Sequence, residues 1–372
     1  MIVNDVSKLS DFKKIISNKK FNKIFLITGK NSYFKSKADK FFNFPKNKLI
    51  KFYFKKSFLP EFDELKIIIN ELRNFDPDLI LAIGGGAVID YAKIVSIVED
   101  IEISDLKKKL INYQKISKKK LFPLIAIPTT AGAGAEVTSN AVIYINKIKY
   151  SVEDKLLIPN YFFLFPKLIL NNPIKLKSAA GFDAIAQAVE SLISIKSNKS
   201  SVSFAKKSLI ISSKNYLPFL INPNNDNSTK MLIASNLAGK AINISKTTAP
   251  HAVSYPFSTL FGISHGHAVS LTFEKFLLFN YQNINFSSSN FNLKKRYQII
   301  FNSFNVKNIK ELCNKIKFIK KQANLEDSFN KLNINLDKNL NKILDQINIL
   351  RLKNNPIPLK QEDIKFVLKN KL

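Results

Sequence analysis

The sequence predicts a two-part architecture: an α/β amino-terminal domain on a parallel sheet, then an all-α carboxyl-terminal domain. Three observations predict it. In the first half, short apolar runs that end in glycine- or threonine-rich turns alternate with stretches of helical period. Beyond about Lys175 the chain reads as successive helices with polar, Asn/Ser-rich joints at 196–201 and 222–228. The length of 372 residues also exceeds the roughly 250–300 residues at which single cores stop growing. The boundary is placed at Asn172-Pro173, giving domains 1–172 and 173–372.

Lys23 to Thr28 is an apolar run closed by Gly29, a buried strand and its turn. Leu49 to Phe52 is a second strand. Residues 60–75 carry apolar residues at 65, 68, 69 and 72, the spacing of one helix face. Asp78 to Ile83 runs straight into Gly84-Gly85-Gly86, and Leu124 to Pro128 into Thr129-Thr130-Ala131-Gly132. Strand, turn, helix, strand in this order implies parallel βαβ units and a doubly wound sheet. The stretch after about 285 is Asn/Lys-rich with helical period, as at 343–353, and is expected to form a surface helical layer with little functional content.

Composition excludes several classes. The hydrophobic content of 45% with 31 Phe is that of a chain with a core, and one cysteine excludes a disulfide framework or a cysteine-rich zinc site. The amino-terminal stretch MIVNDVSKLSDFKK lacks the apolar centre of a leader, and the apolar runs are far shorter than the ~20 residues of a membrane helix. A soluble, cytoplasmic, reduced protein is expected, with no membrane partner. The formal charge of +30 comes almost wholly from lysine, since only Arg73, Arg296 and Arg351 are arginine. No basic run exceeds three residues, so no nucleic-acid partner is expected.

Three constellations can carry chemistry. Gly84-Gly85-Gly86, followed by Asp90, sits between strand and helix, where bare backbone N–H groups suit a phosphate; a plain turn is the alternative. Thr129, Thr130 and Thr138 also follow a strand and suit a ribose or nicotinamide contact, or simply a capped loop. All three histidines, His251, His265 and His267, lie within 17 residues, and Asp183 and Gln187 are four apart on one helix face. A carboxylate with imidazoles suits Zn²⁺ or Fe²⁺, against the alternative of surface histidines.

In this order the segments GGGAVIDYAK, IPTTAGAGAEVTSNAVI, AAGFDAIAQAVES and PHAVSYPFSTLFGISHGHAV resemble the motifs of the iron-containing (group III) alcohol dehydrogenases, across residues 24–275. The resemblance implies a Rossmann-like amino-terminal domain and a helical metal-binding domain, the fold shared with dehydroquinate synthase. It implies reversible hydride transfer between a nicotinamide and a small aldehyde or alcohol, with metal ligands at Asp183, Gln187, His251 and His265. Gln187 and Tyr255 both stand where that family usually has His, and Ala133 and Ala135 replace hydroxyl positions. Lys149 resembles a lysine near the nicotinamide ribose, and His267 is the candidate proton relay.

After its first strand the family often carries an Asp on the adenosine ribose. Here Gly29 takes that place, with Lys30 and Ser32 adjacent, so NADPH is favoured over NADH. A subgroup similar to phosphonoacetaldehyde reductases shares the Gln of the metal helix and the stretch AGKAINISKTTAPHAVSYPF at 238–257. Asn243, Lys246, Thr247, Thr248 and Tyr255 are therefore the candidate substrate contacts. The expected reaction is reduction of phosphonoacetaldehyde to 2-hydroxyethylphosphonate, with a small anionic aldehyde or alcohol as partner and a homodimer as candidate assembly. The alternatives are a general short-chain alcohol dehydrogenase, a sugar-phosphate cyclase of the dehydroquinate synthase type, and a non-catalytic protein keeping the fold.

Overall fold

The computed structural model describes residues 7–98, 101–347 and 349–370. The first six residues of the stretch read for a leader, and Asn348 within 343–353, lie outside the described residues. The chain divides into two compact units, Met1–Thr130 with Gly134–Asn172, and Ala131–Ala133 with Pro173–Leu372.

The first unit holds a five-stranded parallel sheet. Its strands are β1 (Lys23–Gly29), β2 (Leu49–Lys55), β3 (Leu79–Gly84), β4 (Leu124–Pro128) and, after an antiparallel hairpin of β5 (Asn140–Ile145) and β6 (Ile148–Glu153), β7 (Tyr161–Phe162). The spatial order is β2-β1-β3-β4-β7. Every residue of β3 and β4 is buried, as is the β1 segment Ile24–Thr28, which is why these strands read as unbroken apolar runs. The chain passes from β1 to β2 on one side and returns to β3 on the other, so the order reverses between β1 and β3. Ligands of open α/β sheets bind beyond the carboxyl ends of strands at such a point. Gly29 and Gly84 both end strands there, and the Thr28 hydroxyl donates to the Ile83 carbonyl at 2.6 Å across the gap.

Helix α1 (Phe62–Phe75) buries Leu65, Ile68, Ile69 and Leu72, the face that the periodicity predicts. Helix α2 (Gly86–Val95) starts directly after the glycine triplet's second residue. The hairpin escapes sequence reading. Its turn, Asn146-Lys147, holds both residues at positive φ (51° and 65°), the two-residue geometry usually signalled by Asn-Gly.

The second unit is helical. Its long helices are α3 (Ile174–Ile193), α4 (Lys199–Ile221) and α5 (Asn225–Ser245), and the polar joints hold their caps. Asn198 Oδ1 accepts from the Ser201 N–H and Asn224 Oδ1 from the Asn227 N–H, each satisfying a donor of the first turn. Then come α6 (Ala249–Phe261) and α7 (His265–Ser270). Among the described residues no helix is long and apolar enough to cross a membrane.

The expectation of a surface layer after 285 is corrected. Its helical period holds, but Ile343, Leu344, Ile364, Val367 and Leu368 are buried in one core with Ala252, Val253 and Phe257 of α6. Mixed Asn/Lys composition concealed a narrow apolar face that packs inward.

Candidate metal centre and active site

The centre is built on α3, whose polar residues Asp183, Gln187 and Glu190 recur at i, i+4 and i+7 and so share one face. All three are buried. Helix α6 brings His251 against this face, and α7 brings His265. One ligand atom each from Asp183, His251 and His265 lies within 4.8 Å of the others. His251 Nε2 donates to Asp183 Oδ1 at 3.0 Å, and His265 Nε2 is 3.9 Å from the same oxygen.

Gln187 Nε2 donates to Asp183 Oδ2 at 3.0 Å, which leaves its Oε1 buried without a hydrogen-bond partner. An orphaned acceptor of this kind costs about 1–3 kcal/mol unless something electropositive meets it. Two imidazoles, a carboxylate and an orphaned amide oxygen fit a divalent cation. The donor set keeps the harder oxygen at Gln187 where His is usual in the family it resembles.

Glu190 was missed by the sequence reading, although its i+7 spacing from Asp183 was a signal. Its Oε1 accepts from the Thr248 N–H (2.8 Å), the Thr248 hydroxyl (2.9 Å) and the His251 N–H (3.3 Å). Its Oε2 accepts from His251 Nδ1. One carboxylate thus satisfies two backbone donors at the start of α6, where a negative charge is favoured, and fixes the imidazole's orientation. Burial works against a charged His251. The Glu190 charge, the hydrogen bonds to Asp183 and Glu190, and the Asp183 charge outweigh it and push the imidazolium up to about 9. For Asp183, burial likewise opposes ionisation. The His251 hydrogen bond, the His265 and His251 charges and the Gln187 amide together hold the carboxyl below the usual range.

The close approach of α7 to α3 depends on Gly266. A Cβ there would fall 1.9 Å from the Ala179 carbonyl oxygen and 3.0 Å from Asp183 Cβ. Tyr255, one turn after His251, stacks its ring on His265 at 5.9 Å between centroids and 19° between planes.

The other expected contacts are distributed unevenly. His267 is turned away: its Nε2 donates to the Glu326 carbonyl at 2.7 Å, and the relay expected of it finds no support in that placement. Residues two apart on a helix face different ways, so only one histidine of the His-Gly-His stretch joins the centre. Lys246 Nζ donates to the Asn243 carbonyl at 3.0 Å, capping the end of its own helix α5. Its backbone sits at φ 60°, ψ 174°, a region that costs a residue with a side chain about 1–3 kcal/mol. Ser245 anchors this turn, donating to Ser191 at 2.8 Å and accepting at its carbonyl from Ser194 at 2.6 Å. The Thr248 hydroxyl is spent on Glu190. Thr247 Oγ1 accepts from Arg351 Nη1 at 2.9 Å, a contact no sequence pattern announced.

In the first unit the glycines leave bare backbone at the sheet's switch point. A Cβ at Gly84 would lie 2.6 Å from Val88, one at Gly29 2.8 Å from Ser32 Oγ, and one at Gly85 only at ordinary contact, 3.5 Å, from Thr130. This arrangement fits a pyrophosphate beside the start of α2. The Thr129 N–H donates to the Gly84 carbonyl at 3.0 Å, tying the two loops together. Thr138 faces inward: its hydroxyl accepts from Lys93 Nζ at 2.8 Å and donates to the Ala135 carbonyl. Lys149 pairs with Tyr144 in the hairpin, and its charge reaches Asp90. Asp90 is pushed up to about 6 by burial, against the Lys93 charge, the Val142 N–H and the Lys149 charge.

Lys93 is fully buried, and burial lowers its ammonium to about 8 despite the Asp90 and Glu136 charges. The unfolded lysine, near 10.5, then binds more protons than the folded one between pH 8 and 10.5, so stability rises with pH in that window. Wild type is expected to gain on the order of 2–3 kcal/mol relative to Lys93→Met between those limits, read from urea midpoints. Parallel pH profiles for the two proteins would show that Lys93 titrates normally.

Comparison with known proteins adds the following. The family description "Iron-containing alcohol dehydrogenase" matches residues 1–166, and "Fe-containing alcohol dehydrogenase family, C-terminal" matches 177–372. The "Long-chain-alcohol dehydrogenase 1" of Geobacillus thermodenitrificans is 30% identical over 194 residues, 51% of this chain and 49% of that protein. The "Phosphonoacetaldehyde reductase" of Streptomyces viridochromogenes is 26% identical over 227 residues, 59% of this chain and 57% of that protein. The matched stretch thus spans about half the length of these relatives. The crystal structure of a sulfoacetaldehyde reductase from Bifidobacterium kashiwanohense in complex with NAD+ shares the fold, with a TM-score of 0.85 at 23% identity over 97% of this chain and 95% of that one.

Proposed function

This chain belongs to the iron-containing alcohol dehydrogenase family, and on that footing we propose that it is a soluble, cytoplasmic, metal-dependent aldehyde reductase that uses NADPH. Its substrate is a short aldehyde carrying an acid group, with phosphonoacetaldehyde, reduced to 2-hydroxyethylphosphonate, as the first candidate. The observation that carries the reading is the convergence of Asp183, His251 and His265 with the orphaned Gln187 oxygen.

A divalent metal held by these four residues supplies Lewis acidity at a carbonyl oxygen, and a bound nicotinamide supplies the hydride. The chain's own residues prepare the site. Glu190 keeps the proton on His251 Nδ1, so Nε2, which donates to Asp183 here, is the nitrogen that would give up its proton to a metal. Asp183 contributes the fixed negative charge, and Gln187 clamps its second oxygen. The Tyr255 ring stacks on one face of His265. The phosphonate choice is supported by the relative from Streptomyces viridochromogenes and by the shared 238–257 stretch.

The NADPH preference is supported by Gly29, which offers no carboxylate to repel a 2′-phosphate, and by the exposed Lys30 next to it. The metal-loaded protein is expected to oxidise NADPH with phosphonoacetaldehyde faster than with propanal. Absence of oxidation with every aldehyde would defeat the reading. Gly29→Asp displaces only the flexible Ser32 hydroxyl from the Gly29 carbonyl. It is expected to move the NADPH:NADH ratio of kcat/KM toward NADH by roughly 10–100-fold, the worth of one charge-assisted contact. An unmoved ratio would place the 2′-phosphate elsewhere.

A further inference from the structure

We propose that Arg351, together with the Thr247 hydroxyl, is the element that recognises the acid group of the substrate. The inference rests on the aldehyde-reductase reading above and says which residues select within it. Sequence proximity to His251 pointed to Lys246 as the cation, but that ammonium is drawn to the carbonyl of Asn243 in its own helix. The cation joined to the 247–248 segment comes instead from more than a hundred residues downstream.

Arg351 sits in the short helix Ile349–Leu352, which packs on α6, the helix of His251. Its Nη1 donates to Thr247 Oγ1 at 2.9 Å, and Asn354 Nδ2, one turn on, donates to the Thr247 carbonyl at 3.1 Å. Thr247 is thereby held from both its side chain and its main chain by one downstream segment. Thr248, the next residue, gives its N–H and hydroxyl to Glu190, the carboxylate that also accepts from His251 Nδ1. Tyr255 stacks on His265, a member of the metal cluster. Guanidinium, hydroxyl and ligand ring therefore form one neighbourhood.

The chemistry suits an anion. A planar guanidinium presents paired N–H donors that match carboxylate, sulfonate or phosphonate oxygens two at a time, which a lysine does not. A hydroxyl that accepts from a guanidinium still has its own proton to donate. The pair thus offers a set of donors at one end of a short molecule whose carbonyl end belongs at the metal. In a chain with 55 lysines, the other two arginines also make defined contacts: Arg73 Nη2 donates to the Ile101 carbonyl, and Arg296 lies over the Phe291 ring.

The test uses the metal-loaded full chain, with Arg351→Gln and Arg351→Lys. The substrates are phosphonoacetaldehyde, sulfoacetaldehyde, succinic semialdehyde and propanal. In Arg351→Gln the loss of kcat/KM on the preferred anionic aldehyde should exceed the loss on propanal by about 10–100-fold, carried by KM rather than kcat. Arg351→Lys should recover part of it. Calorimetric binding of 2-hydroxyethylphosphonate should weaken by a similar factor if phosphonate is the preferred acid, and the ranking of the three anionic aldehydes identifies which acid that is. Equal losses on propanal and on the anionic aldehydes would reduce Arg351 to a structural contact and overturn the proposal. A wild type that reduces propanal as well as the anions would overturn it while leaving the reductase reading intact. A wild type that reduces no aldehyde would remove both.

Discussion

His251→Ala is expected to release the metal and to lower kcat/KM by roughly three to four orders of magnitude. The side chain it removes is held at both ring nitrogens, by Glu190 at Nδ1 and Asp183 at Nε2. Lewis-acid stabilisation of the developing alkoxide contributes several kcal/mol of barrier lowering, and about 4–5 kcal/mol corresponds to that range of rate. The fold should survive, because Glu190 keeps the Thr248 N–H and hydroxyl after the imidazole is gone. The loss should therefore appear in elemental analysis with little change in the far-UV spectrum. Full metal occupancy in this variant would mean that the ligands lie elsewhere.

Glu190 yields the second large effect. Glu190→Gln keeps the volume but can place an N–H₂ group where Oε2 accepts from His251 Nδ1. The imidazole then has to carry its proton on Nε2, which blocks the nitrogen facing Asp183. Loss of such a supporting carboxylate typically lowers metal affinity by about 10–100-fold, measurable by competition with a chelator. Glu190→Leu goes further, since it strands the buried N–H groups of Thr248 and His251 at the start of α6. A stability loss of about 3 kcal/mol or more is expected in urea titration. If Glu190→Gln binds metal as wild type does, Glu190 serves only as a helix cap.

Much of this was legible in the sequence, for physical reasons that also explain what was not. Strands β1, β3 and β4 are buried on both faces, so each reads as a solid apolar run stopped by Gly, Gly or Pro. Helix α1 declares its buried face because nothing but packing decides it. His251 stands out because the sequence uses histidine so sparingly, and Asp183 because Gln187 follows it at i+4. The β5–β6 hairpin did not declare itself, because Lys147 rather than Gly occupies its left-handed turn position. His267, two residues from His265, meets the Glu326 carbonyl instead, because proximity in sequence is not proximity on a helix. Arg351 was invisible for the opposite reason: its partner Thr247 lies 104 positions away. The whole region also looked like lysine-rich covering, although it closes the core beneath α6. Composition records what a surface contains, not which single side chain reaches inward.

The tight seat of Gly266 against Ala179 has a consequence of another kind. The distance between His265 and Asp183 is gauged by the absence of a methyl group, not by either ligand. With a Cβ only 1.9 Å from the Ala179 carbonyl oxygen, α7 would have to lift away from α3 and carry the imidazole out of the cluster. A chain with all four donor residues intact but alanine at 266 would thus hold the right ligands at the wrong spacing. In the proposed centre, the choice of metal would be as much a matter of how closely two helices are allowed to lie as of which atoms they present.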